Sequence, residues 1–251
     1  MTVSECCVQG FTWDGTPAGR TGKLASNDTY ITGDNPDKAI MIIHDLFGWT
    51  FKNLRLLADH YARETGATVY LPDFFGGEVV APEPIIEERF AELNLPAFLQ
   101  RNSRAAREPE IFACARALRS EHGFRKIGAA GFCYGGWACL RLAAAEHASA
   151  PLVDAISIGH PSLTVEADID SVNPAIPVQV LAPEFDHAFT AELKVYTFTT
   201  LQKLGVTFDY QHFPGATHAC FVRGDEKKAG ERAAMIRGKN AAVNWFKEQL
   251  E

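Results

Sequence analysis

Apolar residues in this chain fall into short compact runs separated by stretches of helical spacing. Lys38–His44 holds Ala39, Ile40, Met41, Ile42 and Ile43 in sequence, the pattern of a strand buried on both faces. Leu54, Leu57, Ala58 and Tyr61 then recur at helical intervals, with Gly66 as the stop. Ala67–Leu71 reads as the next strand. Asp73–Ser103, with Gly76, Gly77, Pro82, Pro84 and Pro96, reads as loop around one short helix near Ile86–Leu93. Ile111, Ala115 and Leu118 mark a further helix, followed by a strand at Lys126–Ala130 and a helix carrying Trp137, Ala138, Leu140, Leu142 and Ala143.

Strands follow at Val153–Ile158, Val178–Leu181 and Thr207–Phe213. A helix with Leu193, Tyr196, Leu201 and Leu204 lies between the last two, and a long helix closes the chain from about Glu226 to Leu250. Two extended pieces, around Gly10–Asp14 and Lys23–Thr32, open it. Alternation of this kind predicts a single α/β domain over residues 1–251, with a mainly parallel sheet, helices on both faces and right-handed crossovers. In such a sheet the site is built by loops at the carboxyl ends of the strands.

Composition adds bounds. The 251 residues are 47% hydrophobic and 22% charged, enough for a full core and an ordinary surface. A net charge of −7 gives no basic footprint for nucleic acid or an anionic membrane. Met1 to Gly10 lacks the basic start and apolar stretch of a secretory signal, and no run approaches the ~18 apolar residues of a membrane span. The expected location is the cytoplasm. Six irregularly spaced cysteines do not form a disulfide framework. Cys6 and Cys7 are adjacent and poorly placed to bridge each other. Cys114 and Cys139 fall in helical patterns, as small buried hydrophobes do.

The chemistry concentrates at Gly131-Phe132-Cys133-Tyr134-Gly135-Gly136, between a strand and a small-residue helix. A nucleophile flanked by glycines in a sharp strand-to-helix turn is the nucleophile elbow of the α/β-hydrolase fold, here with cysteine. The turn lifts the sulfur to a helix N-terminus, whose amides favour a thiolate and receive an oxyanion. In that fold the acid and then the histidine follow the nucleophile in the chain. The acid is Asp186 or Glu184, after the Val178–Leu181 strand. The histidine is His218, after Thr207–Phe213, ahead of His160, His187 and His212; His212 falls in a strand pattern and is expected to pack against the sheet. Oxyanion donors are expected from the backbone N–H groups of Tyr134 and Leu46. No metal site is expected: His44 has Asp45 beside it, but neither HExxH nor paired CxxC spacing occurs. No GxGxxG follows the first strand, so dinucleotide binding has no support.

With these residues placed, the chain resembles the dienelactone hydrolase family (carboxymethylenebutenolidases), in a form similar to the fungal members. The likeness runs from about residue 38 to the C-terminus. It rests on the elbow, His44-Asp45-Leu46-Phe47-Gly48, Pro72-Asp73-Phe74-Phe75-Gly76-Gly77 and Gly215-Ala216-Thr217-His218. The resemblance implies hydrolysis of a lactone or small carboxylic ester by a Cys133–His218–Asp186 triad, without a cofactor. It implies a thiol-modulating role for Asp45, where bacterial members carry glutamate. It also implies a substrate-carboxylate role for Arg223, one position later than the bacterial arginine, with Arg101 as a second candidate. Phe74, Phe75, Trp49, Tyr134 and Trp137 are candidates both for an apolar pocket and for the core. Partners are then a small ester or lactone and, for a homodimer rather than a monomer, a second copy. The alternative is a non-catalytic binding or sensing protein that keeps the fold and a reactive thiol at Cys133.

Overall fold

The computed structural model describes residues 13–80 and 94–251. The expectations for residues 10–12, for Cys6 and Cys7 and for Ile86–Leu93 lie outside the described residues. The strands are β1 (Arg20–Leu24), β2 (Asn27–Thr32), β3 (Lys38–Ile43), β4 (Thr68–Pro72), β5 (Lys126–Phe132), β6 (Ala155–Gly159), β7 (Val178–Phe185) and β8 (Phe208–Thr217). They form one eight-stranded sheet in the order β1-β2-β4-β3-β5-β6-β7-β8. The β1–β2 and β2–β4 pairs are antiparallel, and every pair from β4 through β8 is parallel.

The helices used below are α1 (Lys52–Thr65), α2 (Leu95–Arg101), α3 (Arg104–Ser120), α4 (Gly135–Leu142), α5 (Glu166–Asp170), α6 (Ala191–Leu204), α7 (Cys220–Arg223) and α8 (Ala229–Gln249). Leu54, Leu57, Ala58 and Tyr61 give α1 its buried face, and Gly66 ends it at φ 69°, its N–H donating to Ala62 O at 3.0 Å. Thr190 caps α6 by accepting from Leu193 N at 3.3 Å.

Small residues in β5 let helices press against both faces of the sheet. A Cβ on Gly128 would lie 2.6 Å from the Phe246 ring of α8. A Cβ on Gly131 would lie 2.7 Å from Cys139 Sγ of α4. Three residues apart on a strand, these positions face opposite sides, so α8 and α4 cover opposite faces.

The chain leaves β3 for β4 on one side and then returns to β5 on the other. The carboxyl ends of β3 and β5 therefore flank the switch point at which sites form in such sheets.

Several elements differ from the sequence reading. Lys23–Thr32 is not one strand but part of a hairpin, reversed at Ala25 in the left-handed region (φ 49°). Within the stretch read as loop, Asn94 caps α2, accepting from Ala97 N at 3.3 Å, with Pro96 in the first turn. The short helices α5 and α7, five and four residues long, give no periodic signature; α7 is buried along its whole length. His212 does lie in β8, but it is exposed, because β8 is the edge of the sheet.

Candidate active site

Cys133 follows β5 directly and adopts φ 49°, a left-handed conformation that costs a cysteine about 1–3 kcal/mol. Its backbone is gripped from the neighbouring strand. Cys133 N–H donates to Gly159 O at 3.2 Å and to His160 Nδ1 at 3.1 Å, while Cys133 O accepts from Gly136 N at 3.1 Å and Ser162 N at 2.8 Å. Gly135 is obligatory: a Cβ there would stand 2.1 Å from Ile43 O. This close approach brings the end of β3, and the loop carrying Leu46, against the start of α4. Tyr134 sits at the α4 N-terminus, and its side chain is buried, its hydroxyl donating to Asn102 O at 2.8 Å.

The acid and histidine arrive together because β7 and β8 stay in register past a bulge. Phe185 pairs with Thr217, and His218 N donates to Phe185 O at 3.0 Å. The next residue on each parallel strand is then Asp186 and His218. Their side chains are fully buried, with Nδ1 2.8 Å from Oδ1. Asp186 Oδ1 also accepts from the backbone N–H groups of Ala188 and Phe189, each at 2.9 Å. On the other side of the ring, His218 Nε2 lies 3.3 Å from Cys133 Sγ. Cys133, His218 and Asp186 therefore form one continuous chain of contacts. Glu184 takes a different place: it is exposed and accepts from Gly215 N at 2.7 Å, bracing the bulge before His218.

Electrostatics follow from burial and neighbours. Burial alone pushes the Cys133 thiol up, but His218 beside it and Arg223 beyond outweigh burial and Asp45, so its pKa is lowered. Burial opposes ionisation of Asp186, yet the His218 hydrogen bond and charge prevail and hold it at about 2. Burial keeps His160 well below the usual histidine value. As a neutral ring it accepts from the elbow amide through Nδ1.

Asp45 and Arg223 are brought together rather than aimed separately. Asp45 Oδ2 lies 2.9 Å from Arg223 Nε, both side chains almost wholly buried. Asp45 Oδ1 accepts from Phe47 N at 3.0 Å, and the guanidinium stacks over the Phe47 ring at 4.8 Å. Arg101 lies at the end of α2, exposed, with Nε and Nη2 each 2.8 Å from Glu78 carboxylate oxygens. His44 is a structural tie: it accepts from Phe74 N through Nε2 at 3.0 Å and donates from Nδ1 to Asp45 O at 2.9 Å. Phe74, Phe75, Tyr134 and Trp137 are buried core, whereas Trp49 is half-buried under Arg55. The cysteines at 114 and 139 are buried free thiols, as is Cys220.

Sequence reasoning passes over Ser162. Its Oγ lies 3.3 Å from Cys133 Sγ and 3.5 Å from His218 Nε2. A lone serine beyond a strand carries no motif, so nothing short of the loop geometry reveals it. Among the described residues, one grouping has the compactness to hold a metal: Asp186, His187 and His218, with ligand atoms within 4.8 Å of one another. Two of the three, Asp186 and His218, are already hydrogen-bonded to each other, which accounts for the grouping. No helix among the described residues is long and apolar enough to cross a membrane.

Comparison with known proteins shows the family and the fold. The model of the dienelactone hydrolase family matches residues 28–250. The hydrolase tropI of Talaromyces stipitatus is 29% identical over 258 residues, covering 100% of this chain and 98% of its own. The carboxymethylenebutenolidase homologue of Mus musculus is 31% identical over 183 residues, covering 68% of this chain and 72% of its own. Among solved structures, a putative dienelactone hydrolase from Klebsiella pneumoniae subsp. pneumoniae superposes with a TM-score of 0.68 at 18% identity. It covers 88% of this chain and 92% of that one, a likeness of fold.

Proposed function

The chain belongs to the dienelactone hydrolase family of α/β-hydrolases, and from that premise we propose that it hydrolyses a lactone or small carboxylic ester through an acyl-thioester on Cys133. The observation that carries this reading is the unbroken path from Asp186 Oδ1 through both His218 nitrogens to Cys133 Sγ. A nucleophile, a base and an orienter in contact are what covalent catalysis requires.

An ordinary cysteine has a pKa of about 8.5. Its lowered value here favours passing the thiol proton to His218, which Asp186 orients, so that the sulfur reacts as thiolate. The thiolate attacks the substrate carbonyl, and the Tyr134 and Leu46 N–H groups receive the oxyanion. Losing one such donor costs typically ~10²–10³ in rate. Collapse breaks the acyl C–O bond, and the leaving oxygen takes the His218 proton. Neutral His218 then accepts a proton from water, whose oxygen attacks the thioester. The C–S electron pair returns to sulfur, restoring the thiolate–imidazolium pair.

Arg223 favours the anionic sulfur and draws a carboxylate-bearing substrate, while Asp45 sets how much of that charge the thiol feels. Arg101, held by Glu78, is a further carboxylate contact at the surface. The reaction needs a reduced thiol and no cofactor, which suits the cytoplasm and either a monomer or a homodimer.

The test is turnover of p-nitrophenyl acetate and cis-dienelactone by wild type and Cys133→Ala, with and without iodoacetamide. Turnover that is iodoacetamide-sensitive and lost in the variant is expected. Undiminished turnover in folded Cys133→Ala overturns the nucleophile. Rapid alkylation without turnover of any ester would favour a thiol-bearing binding protein instead.

A further inference from the structure

The loop after β6 is built more firmly than a connection requires, and it fixes one hydroxyl beside Cys133. His160 and Leu163 both adopt left-handed backbone conformations, φ 38° and φ 59°, on either side of Ser162. Such conformations in non-glycine residues persist only where the surroundings enforce them. Four restraints do so. Ser162 N donates to Cys133 O at 2.8 Å, and His160 Nδ1 accepts from Cys133 N at 3.1 Å. Pro161 packs so closely on the elbow that a Cβ on Gly136 would meet it at 2.3 Å. On the far side, Arg104 Nη1 donates to Leu163 O at 2.9 Å. The same guanidinium forms a forked pair with the buried Asp168 and stacks over Trp137 at 4.8 Å.

We propose that Ser162 is a catalytic residue whose hydroxyl donates a hydrogen bond to the Cys133 thiolate, beside the one from His218. This rests on the reading of Cys133 as the nucleophile. Cys133 is 4% exposed, so bulk water is a poor source of donors for the charge on its sulfur. Oγ at 3.3 Å is in place to supply one, and a donor that serves the anion favours the thiolate over the neutral thiol. When the acyl group caps the sulfur, the anionic acceptor is gone. The hydroxyl, 3.5 Å from His218 Nε2, then borders the space in which water must lie to reach both the base and the thioester. Water gives one proton to Nε2 and its oxygen to the acyl carbon. The C–S pair returns to sulfur, and the Ser162 O–H turns back to the regenerated thiolate.

The groups that charge this sulfur come from several elements: His218 after β8, Arg223 in α7 and Asp45 after β3. Asp186 stands behind His218, His187 lies against its ring, and neutral His160 lies under the elbow. Ser162→Ala leaves all of them in place, along with the Ser162 backbone N–H bond.

The experiment is the pH dependence of Cys133 alkylation by iodoacetamide in wild type, Ser162→Ala and Ser162→Thr, with ester kinetics alongside. Loss of a hydrogen bond to a charged group predicts an alkylation midpoint about one pH unit higher in the alanine variant, roughly tenfold less thiolate below it. Threonine, keeping the hydroxyl, should restore the wild-type midpoint. The kcat/KM for ester should fall in the alanine variant at neutral pH and recover as pH rises past the new midpoint. An alanine profile superimposable on wild type overturns the proposal, and so does an equal shift in both variants. Alkylation needs no turnover, so a shifted midpoint without ester hydrolysis would sustain the hydroxyl's role and remove the proposed activity.

Discussion

Asp45 and Arg223 form an ion pair 2.9 Å apart inside the protein, and the two charges act on Cys133 in opposite senses. The carboxylate comes from the loop after β3 and the guanidinium from α7, so the pair also joins the two sides of the site. Removing either partner strands a buried charge, which costs typically ~3–5 kcal/mol. Arg223→Met and Asp45→Asn should therefore both lower stability in urea unfolding. Their effects on the thiol should diverge: the alkylation midpoint rises when Arg223 is lost and falls when Asp45 is neutralised. A shift in the same direction for both would show that the pair acts on Cys133 through structure alone.

Asp186 gives the fold a defined acid sensitivity. Its pKa is depressed from 3.8 to about 2, so the folded state favours the ionised form more than the unfolded state does. That preference is worth about 2–3 kcal/mol above pH 4 and is lost as pH falls from about 4 to about 2. Urea unfolding of wild type across this window should show the loss, and Asp186→Asn should lack this component. If the two proteins titrate in parallel, the carboxyl is not held as described.

Gly135 is the elbow position least able to change. Its missing Cβ would stand 2.1 Å from Ile43 O, a backbone atom of a central strand, so neither side can yield cheaply. Gly135→Ala should destabilise the protein by at least ~1–3 kcal/mol and impair turnover by displacing Cys133 from His218. Thermal unfolding and esterase rates measure both. An alanine variant with wild-type stability would mean that β3 and α4 are further apart.

The parts of this architecture readable in the chain are those set by local chemistry. The apolar run Ala39–Ile43 reads directly as a buried strand, and the glycines around Cys133 announce a turn too tight for side chains. Strand order after the elbow then places an acid and a histidine in the right loops. What brings them into contact is less visible: the register Phe185–Thr217 beyond the bulge makes Asp186 and His218 neighbours, and no residue type signals it. The same limit keeps Glu184 as a competitor to the favoured Asp186 until the structure shows it turned toward Gly215 N.

His212 reads as packed on the sheet because strand patterns say nothing about which strand is the edge. The β1–β2 hairpin turns at Ala25-Ser26 with alanine, rather than glycine or asparagine, in the left-handed position, and α2, α5 and α7 are too short for periodicity to reveal. Ser162 reaches the sulfur only through two left-handed residues and a clamp from Arg104, contacts distant in sequence.

The central claim, covalent catalysis at Cys133, is tested most directly by rapid-quench mass spectrometry of wild type mixed with p-nitrophenyl acetate. The good leaving group makes acylation fast, so the thioester should accumulate before water removes it. The account predicts a single acetyl adduct, labile to hydroxylamine, on the peptide carrying Cys133. Turnover without an adduct there, or with the acetyl group on another residue such as Ser162, would contradict it.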